Sequence, residues 1–376
     1  MLKGRRIIFV LFNLELGGAE RQALILARHL SKHEHAKVEV WGFNRSGPVA
    51  QLCERAGLEW RVVPYPFKSG SVNRLAALAR LSLIFRRARP DILLPYTFVP
   101  NVVCGLLWKG AGARACVWNQ RDEGPAPFTA DWERTALEQV PLFVSNSTAG
   151  ARFLVETLNV GPEKVRVIAN GIEESRPLND ASSWRARLQI DDQCFVACMV
   201  ANLHDNKDHA TLLKAWRRVV DELNGRAVLV LAGRHYGAYE SLLALVARLE
   251  IQDQVRFAGQ VSDVAGLLSA ADVGVFSSRS EGCPNGVLES MAAGLAVAGT
   301  DIEGIRAVVC RENAQFLTPP GDDAALAAAI LRLANDSDLR VTIGALNRRR
   351  VRERYGAARM CEATVAVLNE IVNGNQ

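Results

Sequence analysis

Glu281 and Glu289 stand eight residues apart in the run Ser278-Arg279-Ser280-Glu281-Gly282-Cys283-Pro284-Asn285-Gly286-Val287-Leu288-Glu289. A short apolar stretch at residues 273–276 precedes this run. It therefore reads as a strand, a Gly/Pro loop and a helix starting near Asn285 or Gly286. The first turn of a helix has amides without intrahelical acceptors and the positive end of the helix dipole. The backbone of Gly282, Cys283, Pro284, Asn285, Gly286, Val287 and Leu288 could thus cradle a diphosphate. Glu289, early in the helix, could accept hydrogen bonds from ribose hydroxyls. Glu281, on the loop side, could reach a sugar. The same run also fits a plain capped helix with favourable dipole charges.

Two further loops carry candidate groups. In Val200-Ala201-Asn202-Leu203-His204-Asp205-Asn206-Lys207-Asp208-His209, Lys207 would lie just past a strand's carboxyl end. A cation there could neutralise a leaving diphosphate, although a solvated surface lysine fits too. Near the start, Gly17-Gly18-Ala19-Glu20-Arg21 would join a first strand to a first helix. Glycines let backbone approach a ligand closely, and they equally serve a tight turn. This is not G-x-G-x-x-G, and no acidic residue closes the second strand to hold a ribose, which counts against a dehydrogenase.

Metal chemistry has little to work with. No Asp-x-Asp stands in a suitable loop, and the spacing of His204 and His209 does not make a metal site. The eight cysteines are scattered, and Cys194 and Cys198 form a lone C-x3-C. Reduced, structural thiols in a cytoplasmic protein are expected, with no metal and no cofactor.

The elements that must position these groups follow from hydrophobic periodicity. Strand-like stretches at residues 6–12, 37–43, 91–95, 115–118, 142–145 and 165–168 alternate with amphipathic stretches such as 19–31 and 72–89. After a polar pause with Pro177, Asn179 and Asp180, the rhythm restarts at 194–200, 227–232, 255–258, 273–276 and 296–298. A chain of 376 residues suits two domains. The alternation predicts two doubly wound α/β domains with parallel sheets. The expected division is 1–172, a linker at 173–184, 185–355, and a C-terminal helix at 356–376.

Charge divides unevenly. Residues 1–176 hold 24 Lys and Arg against 16 Asp and Glu, while residues 177–376 hold 21 against 24. The first domain is therefore the candidate for an anionic partner such as a lipid surface, although ordinary surface charge fits as well. The stretch 72–89 carries Arg74, Arg80, Arg86, Arg87 and Arg89 among leucines; it reads as a packed helix with a basic outer face or one resting on anionic lipid. The basic run 348–354 lacks aromatic stacking partners other than Tyr355, so no nucleic-acid partner is expected. No stretch is long and apolar enough to span a bilayer. The start reads as a buried strand rather than a signal peptide.

Taken together, these motifs resemble the retaining glycosyltransferases of family 4, with the GT-B fold of two Rossmann-like domains facing across a cleft. The resemblance rests on Gly17-Gly18-Ala19-Glu20, Asn170-Gly171-Ile172, Lys207, the E-x7-E block and Thr318-Pro319-Pro320-Gly321-Asp322, in order along nearly the whole chain. It implies metal-independent transfer from a UDP- or GDP-sugar to a glycan or lipid-linked acceptor, with the leaving phosphate helping to accept the acceptor proton. Glu289 would bind the ribose and Glu281 the donor sugar. Lys207 and the backbone of residues 283–288 would bind the diphosphate, with the base near Gly259 and Val261. Gly17 and Gly18 would contribute from the opposite domain, and the C-terminal helix would pack back on the first domain.

Three positions depart from the family pattern. Asn202 replaces a frequent arginine, Ala307 stands where a glutamate is common, and the run Trp118-Asn119-Gln120-Arg121-Asp122-Glu123 lacks the usual histidine. Arg121 is expected to take over part of that histidine's role or to bind an anionic acceptor. A sugar-nucleotide epimerase on the same fold, or a nucleotide-sugar-binding protein without catalysis, are the alternatives.

Overall fold

The computed structural model describes residues 2–66, 71–122, 124 and 131–374; Glu123 lies outside them. The chain divides into two units, Met1–Gly171 with Ala357–Gln376, and Ile172–Gly356.

The first unit is built on seven strands among the described residues: β1 (Arg6–Leu11), β2 (Lys37–Gly42), β3 (Glu59–Val62), β4 (Ile92–Pro95), β5 (Ala115–Gln120), β6 (Leu142–Ser145) and β7 (Val165–Val167). They lie in the order β3-β2-β1-β4-β5-β6-β7. All pairs are parallel, with Ile7 opposite Val38 on one side and Ile92 on the other. From Ile7 to Leu11 both faces of β1 are buried, and that stretch is apolar throughout. Ile7, Phe9 and Leu11 join one core, shared with Ala23, Leu24 and Ala27 of the helix Gly18–Lys32 and Cys361 and Leu368 of the helix Ala357–Gly374. Ile8 and Val10 join the other, with Trp41, Phe85 and Trp118.

The second unit repeats the plan with β8 (Phe195–Val200), β9 (Ala227–Ala232), β10 (Val255–Gly259), β11 (Val273–Phe276), β12 (Ala296–Thr300) and β13 (Leu317–Thr318). Their order is β10-β9-β8-β11-β12-β13, again parallel. In each sheet the order reverses beside the first strand, between β1 and β4 and between β8 and β11. Such a reversal opens a crevice at the carboxyl ends of the strands, where doubly wound folds bind ligands.

Two strands escaped the periodicity. β3 exposes Glu59 and Arg61 and leaves Trp60 and Val62 only partly covered, so it lacks an apolar run. β13 is two residues long and is added at the edge of β12. The stretch 173–184, read as a linker, falls within the second unit. Asp180 caps the helix Ala181–Arg187. Asp263 accepts bonds from the amides of Leu178, Asn179 and Gly266 and from the indole of Trp184. Burial alone would raise the Asp263 pKa, but these donors outweigh it and hold the carboxyl below its usual range.

Candidate active site

The second unit's strand reversal gathers the central groups. β8 ends at Val200, and the chain then makes a short turn, Asp205–Lys207, which the His204 side chain caps by accepting from the Asn206 amide. Asp208 follows in left-handed backbone, φ 47°. Its carboxylate caps the helix His209–Glu222 by accepting from the Thr211 amide and hydroxyl. This cap ends the loop abruptly and directs Lys207 back toward β11.

From β11 the chain passes through Ser277 and Ser278. The Ser277 hydroxyl donates to the Lys207 carbonyl at 2.8 Å, tying the two loops together. Lys207 Nζ donates to Glu281 Oε1 at 2.5 Å, and Ser278 Oγ donates to the same oxygen at 2.8 Å. The Thr300 hydroxyl at the end of β12 holds the Ser278 carbonyl at 2.5 Å. Lys207 and Glu281 are 20% and 13% exposed, so the pair is shielded yet reachable. Beside it Arg279 pairs with the buried Asp208 at 3.1 Å. Burial pushes the Asp208 carboxyl up; the bonds from Arg279 and Thr211 prevail and hold it below its usual value.

The helix after Glu281 spans Asn285–Ala293. Pro284 stands at its cap position and no side chain caps it. The side chains of Val287 and Leu288 are fully buried and that of Cys283 nearly so. Pro284 has no N–H and offers none. A Cβ on Gly286 would lie 2.1 Å from the Val200 carbonyl, so only glycine lets this helix start press against the end of β8. Glu289 sits one turn in, partly exposed.

Other sequence candidates lie elsewhere. Asn202 is occupied structurally: its Oδ1 accepts from the Arg234 amide at 3.0 Å, joining the ends of β8 and β9. Gly259, with φ +63°, ends β10, and Val261 follows in the next loop. β10 lies two places from β8, away from β11, or about 10 Å at ordinary strand spacing. In the first unit, Gly17 caps the helix that begins at Gly18, at the carboxyl end of β1. Arg121 follows β5 in that same unit.

Several participants were invisible in the sequence. Ser278, Thr300, Asp208 and Arg279 reach the cluster only through the fold. The one available signal was Asp208 three residues before Thr211, a helix-start pattern. His209 is also placed here, 2% exposed, with Nε2 unpartnered. Burial, and next the charge of Lys207, lower its pKa to about 4. Among the described residues, no group of three or more His, Cys, Asp or Glu side chains is placed to hold a metal. None of the eight cysteines is in a disulfide, and burial pushes the Cys198 thiol up to about 12.

Two parallel doubly wound units with this strand order define the GT-B fold. The crystal structure of Anabaena Alr3699/HepE in complex with UDP and glucose matches with a TM-score of 0.85, covering 97% of this chain and 99% of that one at 21% identity. The sequence model for Glycosyltransferase Family 4 matches residues 16–176, and that for Glycosyl transferases group 1 matches residues 194–336. The two spans take in most of the chain, which belongs to these group 1 and family 4 glycosyltransferases. It is 23% identical to N-acetyl-alpha-D-glucosaminyl L-malate synthase of Bacillus anthracis over 80% of each chain. It is 32% identical to the lipopolysaccharide core biosynthesis glycosyltransferase LpsD of Rhizobium meliloti over 53% of this chain and 55% of that one.

Proposed function

We propose that the chain transfers a sugar from a UDP- or GDP-sugar, with retention and without metal, to an acceptor used in glycoconjugate synthesis. The observation that carries this reading is the Lys207–Glu281 pair beside an uncapped helix start, at the reversal of the second sheet. Lys207 and the first-turn amides suit a diphosphate: together they supply positive charge and N–H donors where negative charge grows on the leaving group. Glu281 then orients the sugar hydroxyls and Glu289 the ribose. The bond from the anomeric carbon to the diphosphate breaks, the acceptor oxygen bonds to that carbon on the same face, and the acceptor proton passes to the departing phosphate. With charge neutralised by Lys207 and amides, the step calls for no metal ion.

The matched Anabaena structure, solved with UDP and glucose, supports a UDP-sugar as the first donor to try. The Rhizobium relative's role in lipopolysaccharide core biosynthesis supports a cell-envelope acceptor. The deciding experiment is a screen of UDP- and GDP-sugars for binding and slow donor hydrolysis, with and without EDTA. A single favoured donor, turned over equally in EDTA, is expected. Absence of binding by every nucleotide sugar sinks the donor reading, and loss in EDTA with recovery on Mg²⁺ or Mn²⁺ sinks metal independence.

A further inference from the structure

In the first unit, Arg121 has no carboxylate partner among the described residues. β5 delivers it to the carboxyl edge of the sheet, where its guanidinium lies over the buried ring of Tyr96, 4.5 Å from the centroid. Its polar partners among the described residues are neutral. One Nη donates to Asn119 Oδ1 at 2.9 Å, and the other reaches Asn170 Oδ1 at 3.4 Å. Nε is buried with no acceptor. The neighbouring Asp122 turns its carboxylate to Gln120 and to the Gly124 amide instead. Beside this cluster Asn146, 4% exposed, donates to the Arg121 carbonyl and leaves its own Oδ1 buried without a donor.

Some other arginines of this unit pair with carboxylates, as Arg5 does with Asp91 and Arg61 with Glu39. A guanidinium drawn partly out of water without a counter-charge is unfavourable, and amide oxygens compensate only in part. Arginine presents five N–H groups in a planar fork that suits carboxylate and phosphate, and its bonds here go to neutral oxygens of Asn119, Asn170 and Tyr96. Tyr96 covers one face of the fork, and Arg121 as a whole stays partly exposed.

We propose that Arg121, framed by Asn119, Asn146 and Asn170, is an oxyanion receptor for the sugar acceptor, so that the acceptor carries a carboxylate or a phosphate. This rests on the glycosyltransferase reading above and assigns Arg121 to the acceptor rather than to the donor sugar. The receptor is prepaid in structure: Asn119 is fixed by donating to the Pro95 and Val117 carbonyls, and it fixes the fork in turn.

The test follows the Arg121 Nε–H signal by nitrogen-edited NMR on the full chain, identified by its loss in Arg121→Lys, with UDP saturating. Sodium phosphate or L-malate should shift the signal saturably where sodium chloride of equal ionic strength does not. Response to one and not the other identifies the anion as phosphate or carboxylate. The anion that shifts it should also raise the Tm, and Arg121→Gln should abolish that rise. A signal unmoved by both anions, or moved equally by chloride, overturns the proposal. A signal shifted by UDP alone, with no further response, places the donor's diphosphate at Arg121 and also overturns it. Calorimetry with UDP and GDP on the same sample reads the donor site separately, so failure of the donor reading appears as absent nucleotide binding whatever Arg121 does.

Discussion

Lys207 Nζ and Glu281 Oε1, 74 residues apart in sequence, meet at 2.5 Å where the strand order of the second sheet reverses. The contact has two consequences for a diphosphate. It keeps the ammonium in place, and it sets a carboxylate in competition with the phosphate for that ammonium. Lys207→Ala should therefore weaken UDP binding by roughly 1.5–3 kcal/mol, the worth of a hydrogen bond to a charged group. Glu281→Gln should leave UDP affinity equal or tighter while lowering donor turnover. Calorimetry and hydrolysis rates on the two variants check both signs; equal losses of UDP affinity in both would contradict the division of roles.

The loop that holds Glu281 is pressed against Gly304. A Cβ there would lie 2.0 Å from the Glu281 carbonyl oxygen and 2.7 Å from that of Gly282. Both are backbone atoms, so the loop itself must move. Gly304→Ala should cost about 1–3 kcal/mol of stability, the range for overpacking, and should reduce donor turnover at least tenfold. Gly237→Ala is the control, since nothing lies within 4 Å of its Cβ position. Thermal unfolding and hydrolysis rates compare the two, and equal behaviour would show that the Glu281 loop tolerates displacement.

His209 gives the second unit a pH-dependent term. Its pKa falls from the ordinary 6.5 to about 4, through burial first and the Lys207 charge second. The folded state therefore holds His209 neutral while the unfolded chain takes up a proton below about pH 6.5. Between pH 6.5 and 4 the unfolded state binds more protons, so stability declines as pH falls, by roughly 3 kcal/mol at most. His209→Leu should flatten that part of the profile. Denaturant unfolding at steps from pH 7 to pH 4 measures it, and an unchanged slope in the variant would remove His209 from the account.

How much of this was legible in sequence depended on how local each feature is. β1 after Arg6 and all of β9 are buried on both faces and so read as unbroken apolar runs. The Gly282 to Glu289 run placed its own helix start because Pro284 and Gly286 are local signals. β3 was missed because its residues are polar or half exposed at a sheet edge. The segment 173–184 looked like a linker because its anchor, Asp263, is about 80 residues away. Lys207 and Glu281 were both singled out, but their bond was not readable, nor were the Ser277, Ser278 and Thr300 ties that create it. Asn202 stood out for lacking an arginine's charge, whereas its actual bond to the Arg234 amide requires the β8 and β9 ends to be neighbours. Arg121 stood out as a substitute for a histidine or a binder of an anionic acceptor; only the fold brings its three asparagines and Tyr96 around it.

The helix Ser71–Ala88 bears on where the enzyme meets its acceptor. It contains no acidic residue, and Leu75 and Leu83 are 68% and 55% exposed. Arg86, Arg87 and Arg89 line an open pocket of about 620 Å³ with Leu83 and Arg6, whose guanidinium also donates to the Ala88 carbonyl. Among the described residues no helix is long and apolar enough to cross a membrane. A basic, partly apolar surface of this kind should bind an anionic bilayer by charge and shallow apolar contact, at about 1 kcal/mol per basic residue near the surface. Binding to phosphatidylglycerol vesicles should fall as salt rises, because the attraction is screened over about 10 Å at 0.1 M ionic strength. Replacing Arg86, Arg87 and Arg89 together with Ser should weaken binding strongly, while Arg348→Ser and Arg349→Ser in the second unit should not. Vesicle sedimentation across a salt series measures each case. Absence of binding at low salt, or equal loss in both sets of variants, would leave this face as ordinary solvated surface and point to an acceptor reached in solution.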